Sequence, residues 1–218
     1  MNTSIMTADK IDLQKNERVC QVKSFGEILR SALGEQAWGK LEQSIAKRFN
    51  VYVSENNQLK FQGRMQWVYC SPIGSLIAKV IKRFSILPGQ CARDASFTFD
   101  IGMKDGELNK ERSYALGGKH FVFTSAFKSS PRLHEEFGGG IGMYLRLLVK
   151  NGSLLFRDQG YFLRLKNWRL SLPSWLTVGN FDLLHRNIDE NRFQIIIRVA
   201  HPLLGTLFYQ RGEFERVT

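Results

Sequence analysis

Phe97-Thr98-Phe99-Asp100-Ile101-Gly102-Met103-Lys104-Asp105-Gly106 decides the fold class. Its large apolar side chains occupy alternate positions, the period of a strand with one buried face. Asp105-Gly106 follows directly, and both residue types accept the positive φ of a two-residue hairpin turn. The device recurs at Gly117-Gly118, ahead of Phe121, Phe123 and Phe127, and at Asn151-Gly152, between Met143–Lys150 and Ser153–Phe156. Tight turns at this spacing specify an antiparallel meander. Upstream, Leu59, Phe61, Met65, Trp67 and Tyr69 alternate and predict another half-buried strand. Downstream, strands are expected at Tyr161–Lys166, Trp168–Leu172, Phe181–Asn187, Arg192–His201 and Leu204–Phe214.

Before the strands, Ser24 and Glu27 have the spacing of a capping box. Phe25, Ile28, Leu29, Ala32 and Leu33 then share one helical face, with Gly34 ending or interrupting the helix and Trp38, Leu41, Ile45 and Phe49 resuming the stripe. A second helix is predicted over Pro72–Phe84, where Ile73, Leu76, Ile77, Val80, Ile81 and Phe84 follow the helical period. Its plainer reading is a core-packing helix; the neighbouring Lys79, Lys82 and Arg83 give a membrane-surface helix as the alternative. Two helices cannot cover about ten strands, so the sheet must curl. The expected fold is mainly β (α+β): one large curved antiparallel sheet or partial barrel, with the two N-terminal helices on it or plugging its mouth. Residues 1–22 read as a polar tail and 23–218 as one domain. Phe97, Phe99, Phe121, Phe123, Phe193, Ile195 and Ile197 are the expected interior, as plain core or as the wall of a cavity.

The 218 residues are 43% hydrophobic and 12% aromatic, an ordinary globular mix, with no apolar run of membrane-spanning length. Net charge is +11, and the excess divides as +5 over residues 1–118 and +6 over 119–218. So even a spread reads as a solvated surface and argues against nucleic acid as a partner. Convergence of Arg157, Arg164, Lys166 and Arg169 on a phosphate backbone is the competing reading. Cys20, Cys70 and Cys91 form neither a disulfide framework nor a zinc knuckle, and the N-terminus lacks the apolar core of a signal peptide. A cytoplasmic, reduced protein is the expectation.

Catalytic and metal motifs are absent: no GxSxG elbow, and no HxH or HExxH among His120, His134, His185 and His201. Neither a metal nor a cofactor is called for. Phe137-Gly138-Gly139-Gly140-Ile141-Gly142 is followed by a strand rather than a helix, so it reads as a bulge or hairpin rim instead of a phosphate loop. Of Glu135 and Glu136, one should face the sheet interior, paired with Arg112, Arg132 or Arg146, or else free to act as acid or base.

The order of motifs resembles the bacterial family called domain of unknown function 4166. The resemblance rests on Leu33-Gly34, Trp38, Leu41, Gly63, Leu87-Pro88, Arg112-Ser113-Tyr114, Phe123-Thr124-Ser125, Glu136-Phe137-Gly138, Leu172-Pro173, and His201-Pro202-Leu203-Leu204-Gly205 with Tyr209 and Gly212. It spans roughly residues 30–215, and the Pro-Leu-Leu-Gly segment is its most specific element. Some similar proteins carry the domain behind a saccharopine-dehydrogenase-like dinucleotide-binding region that this chain lacks. The family pattern has Trp two positions before the strand Arg, where Lys110 stands here. The resemblance implies no activity, substrate or catalytic residue.

The leading expectation is therefore a non-catalytic binding module for a hydrophobic or lipid-like small molecule, with Arg112, Tyr114, Phe123, Glu136, Phe193, Ile195 and Ile197 as candidate ligand-binding residues. An enzyme or dehydrogenase accessory using Glu136 as acid/base is the first alternative. A basic face for nucleic acid or anionic membrane is the second. The sequence leaves the oligomeric state open.

Overall fold

A computed structural model describes residues 23–54, 56–80, 88–166 and 168–217. The expected tail, Cys20, and the last part of the Pro72–Phe84 helix lie outside the described residues. The chain begins with β1 (Lys23–Ser24), α1 (Phe25–Leu33), α2 (Glu35–Trp38), α3 (Gln43–Phe49) and β2 (Tyr52–Val53). Then come β3 (Leu59–Cys70), α4 (Pro72–Val80), β4 (Ala92–Lys104), β5 (Glu107–Leu116), β6 (Lys119–Lys128) and β7 (His134–Glu136). The remainder is β8 (Ile141–Lys150), β9 (Ser153–Leu165), β10 (Trp168–Leu172), β11 (Asn180–Asn187), β12 (Arg192–His201) and β13 (Gly205–Val217).

Ten of these strands close an antiparallel barrel in the order β9-β11-β12-β13-β3-β4-β5-β6-β7-β8, and β8 pairs back onto β9. β10 adds to the outer part of β9 beyond the stretch where β9 pairs with β11. The three turns behave as the sequence requires. Asp105, Gly106, Gly117, Gly118, Asn151 and Gly152 all have φ between +48° and +76°. The Gly138–Gly140 cluster is a kinked turn joining β7 to β8, with Gly139 (φ +69°) and Gly140 (φ +80°) in the left-handed region. The segments expected separately at Ser153–Phe156 and Tyr161–Lys166 are one strand, continuous through Gly160.

Two expectations about faces are corrected. In β3 the alternation breaks: Gln66 is an extra residue relative to β13, so Val68 and Cys70 turn inward and Trp67 and Tyr69 outward. In α4 most of the large apolar stripe does not pack, Ile77 alone being half-buried against the core. Gly74 and Ala78 face the barrel, while Ile73, Leu76 and Val80 are exposed. Close approach explains the choice, because a Cβ on Gly74 would stand 2.4 Å from the Leu207 carbonyl oxygen. Only the small-residue face fits against β13.

The first helical stripe breaks at Gly34 (φ +83°), between α1 and α2, and again over residues 39–42, between α2 and α3. Half of the expected capping box forms: the Ser24 N–H donates to Glu27 at 3.3 Å, while the buried Ser24 hydroxyl has no partner among the described residues. These helices close one end of the barrel. Phe25 packs edge-on against Phe127, Phe49 lies 4.9 Å from the His185 ring, and the Glu42 N–H donates to Gly152. The opposite end is bordered by α4, the turn at 117–118, the Gly138–Gly140 turn, and the segments 173–179 and 202–204.

Candidate functional site

Alternation along every strand sends one set of side chains into the barrel, and β5 contributes Lys110, Arg112 and Tyr114 to that set. They meet a largely apolar interior cavity of about 110 Å³ whose wall includes Phe25, Phe49, Phe97, Phe99, Phe123, Phe156, Ile195 and Ile197. Within this apolar wall, between Phe99 and Phe123 on the neighbouring strands, charge is concentrated at one place. The register Phe127↔Glu135 carries the inward parity of β6 onto β7, so Glu135 is the interior carboxylate. It accepts hydrogen bonds from Lys110 Nζ (3.2 Å), the Ser125 hydroxyl (2.5 Å) and Arg112.

Burial alone would raise the Glu135 pKa, but Arg112, Lys110 and the Ser125 hydroxyl outweigh it and hold the group at about 2. Lys110 is in the opposite position. Burial pulls its pKa down to about 8; Glu135 opposes that shift, and the neighbouring Arg112 adds to it. Its Nζ also lies 3.8 Å from the centre of the Phe127 ring. The cluster thus holds two cations and one carboxylate, and among the described residues the carboxylate accepts three hydrogen bonds while each cation keeps donors without a partner.

Further polar groups punctuate the wall. The Tyr114 hydroxyl donates to Gln210 at 3.0 Å. His185 sits between Arg48 and Phe193: Arg48 donates to its Nε2 at 3.1 Å and the Phe193 ring stacks on it. Burial first, then the Arg48 charge, hold His185 well below the usual imidazole range. It is a neutral acceptor.

Among the candidate residues, the structure places Arg112, Tyr114, Phe123, Ile195 and Ile197 on the cavity wall. Phe193 belongs to the packed floor beneath it, against Phe61, His185 and Phe214. Glu136 points to the outer side of β7 with His134, within 3.5 Å of Lys128, Arg164 and Arg169, and lines no cavity described. The reading that one of Glu135 and Glu136 faces inward and pairs with Arg112 is met by Glu135; Lys110, Ser125 and Gln210 are not among the sequence candidates. Strand parity was the available signal for two of them, since Lys110 is two residues from Arg112 and Ser125 two from Phe123.

The cavity opens toward the end away from α1–α3. Tyr161 and Val178 line both the interior cavity and a second, wider hollow of about 440 Å³, which also touches Ile77, Trp175, Leu176, Leu203 and Leu204. These two side chains form the partition between barrel interior and mouth. Among the described residues, no cluster of His, Cys, Asp and Glu could hold a metal ion, and no helix is long and apolar enough to cross a membrane.

Residues 41–214 match the family described as Domain of unknown function (DUF4166). The chain belongs to that family. The match includes every strand of the barrel except the last residues of β13, together with α3 and α4. Within DUF4166, then, this chain is a ten-stranded barrel with a charged cluster in its wall. No curated protein matches the chain.

Proposed function

We propose that this DUF4166 protein is a non-catalytic, cytoplasmic binding module, residues 23–218 forming one domain, that takes a hydrophobic molecule with an anionic head group into its barrel. One observation carries the reading. The buried cluster of Lys110, Arg112 and Glu135 faces an apolar cavity with one positive charge in excess. A buried unpaired charge is unfavourable, and a carboxylate or phosphate-type head would supply its counter-charge. The aromatic wall suits the hydrocarbon part of such a ligand. Acid–base chemistry at Glu136 finds no support in its surroundings, where basic side chains hold the carboxylate ionised.

Native mass spectrometry of gently purified protein tests for a co-purified ligand. Isothermal titration with a long-chain fatty acid and with its methyl ester tests the head group. The acid should bind and the ester bind at least about tenfold more weakly, roughly the 1.4 kcal/mol of one charge-assisted hydrogen bond. Equal binding of both would refute the anionic head. Binding of neither, with no co-purified ligand, would refute the cavity as a binding site.

A further inference from the structure

The barrel's open end carries an unusual surface. Ile73, Leu76 and Val80 stand out from α4 because its small-residue face is the one that packs. Beside them Trp175, Leu176, Leu203 and Leu204 border the wider hollow and are exposed, Leu203 to 81% and Trp175 to 66%. Trp168, at the start of β10 on the same end, is also 81% exposed. Large apolar side chains this exposed and this concentrated mark an interaction surface rather than ordinary scatter.

The charges around that end are equally selective. Lys79, Arg93, Lys119, Arg164, Lys166 and Arg169 lie at strand ends, turns and helix on this side. Over the described residues of 71–80, 88–93, 116–120, 138–141, 164–180 and 200–206 no acidic side chain occurs; the carboxylates bordering them are Asp94, paired with Arg64, and Glu136, faced by Arg164 and Arg169. The helix-capped end is mixed, with Glu35, Glu42, Asp105, Glu107, Asp189 and Glu190 among its bases. The even division of charge along the sequence therefore conceals a polarity in space.

From this juxtaposition we propose that the open end docks on an anionic lipid bilayer surface. Leu76, Val80, Trp175, Leu203 and Leu204 enter the headgroup–acyl boundary, as apolar and Trp side chains of interfacial proteins do. The basic side chains lie over anionic head groups. A collar with basic excess, in which Lys79, Arg93, Lys119 and Lys166 have no ion pair among the described residues, matches that surface in both charge and polarity, whereas a nucleic acid would leave the aliphatic side chains without a partner. Docking in this orientation presents the mouth, and behind it the Tyr161–Val178 partition, to the lipid. The proposal stands independently of what the cavity holds.

Full-length protein is sedimented with vesicles of phosphatidylcholine alone and of phosphatidylcholine with phosphatidylserine, at low and high salt. Binding should be at least tenfold stronger to the phosphatidylserine vesicles and weaken with salt. Leu76→Ser with Leu203→Ser, and separately Lys79→Glu with Lys166→Glu, should each reduce binding about tenfold or more. All four side chains are exposed, so the thermal transition should not move, which separates lost docking from lost folding. Binding indifferent to lipid charge and to both double variants would overturn the proposal, as would no binding at low salt. Self-association abolished by Leu76→Ser with Leu203→Ser, without vesicle binding, would assign the surface to a second copy and overturn it too.

Discussion

Lys110→Met should be tolerated or stabilising at pH 7, although it removes one partner of a buried ion pair. Lys110 ionises at about 8 in the barrel against 10.5 in water, so the fold disfavours its ammonium by about 3 kcal/mol at roughly 1.4 kcal/mol per pH unit. Met removes that penalty and keeps a flexible apolar contact with the Phe127 ring. Glu135 meanwhile retains Arg112 and Ser125. The expected change is between zero and a gain of about 2 kcal/mol, in keeping with apolar replacement of buried ions. Glu135→Gln is the contrasting variant: it leaves Lys110 and Arg112 facing each other without an anion and should lose about 3–5 kcal/mol. Urea unfolding at several pH values measures both. Between about 8 and 10.5 the folded protein binds fewer protons at Lys110 than the unfolded chain does, so wild-type stability relative to Lys110→Met should rise with pH over that window. Groups common to both proteins cancel in the difference. A Lys110→Met loss at pH 7 as large as that of Glu135→Gln would refute the reasoning, because it would make Lys110 a structural ion-pair partner instead of a strained one.

The acid limb has its own signature. Glu135 is lowered to about 2 from 4.5, so its contribution is complete above 4.5 and disappears as pH falls toward 2. His185, buried neutral, adds to the loss because the unfolded chain gains a proton there from 6.5 downward. Circular dichroism against pH should show stability falling in both intervals, and His185→Gln should flatten the upper one; an unchanged upper interval would refute the neutral His185. Gly142→Ala should destabilise by about 1–3 kcal/mol by overpacking, since its Cβ would stand 2.2 Å from the Phe162 ring on the outer face of β8. Thermal unfolding checks this, and a transition within a degree of wild type would refute it.

Much of the barrel was legible because its signals are local. Asp105-Gly106, Gly117-Gly118 and Asn151-Gly152 each announce a turn through backbone conformations few residues adopt, and the strands between them alternate cleanly. Closure was not legible, because it depends on β9 pairing with both β8 and β11, a relation between segments that neither segment records. Faces failed where parity crossed an irregularity. The extra residue at Gln66 reversed Trp67 and Tyr69, and the passage from β6 to β7 decided for Glu135 over Glu136. In α4, periodicity identified an apolar stripe but could not say what it faced. The packing surface was chosen by Gly74, the residue with least side chain.

The pairing of β13 with β3 joins residues 205–217 to residues 59–70. During synthesis every other neighbour in the ring is available earlier, so the final strand made is the one that completes the circle. Until it arrives, β3 and β12 each present a free edge of unpaired backbone groups, the arrangement most open to association with another chain. The interior has no continuous wall before that moment. A guest enclosed by the barrel is held only once residues 205–217 have joined β12 to β3, and a chain without them would lose not one strand but the enclosure itself.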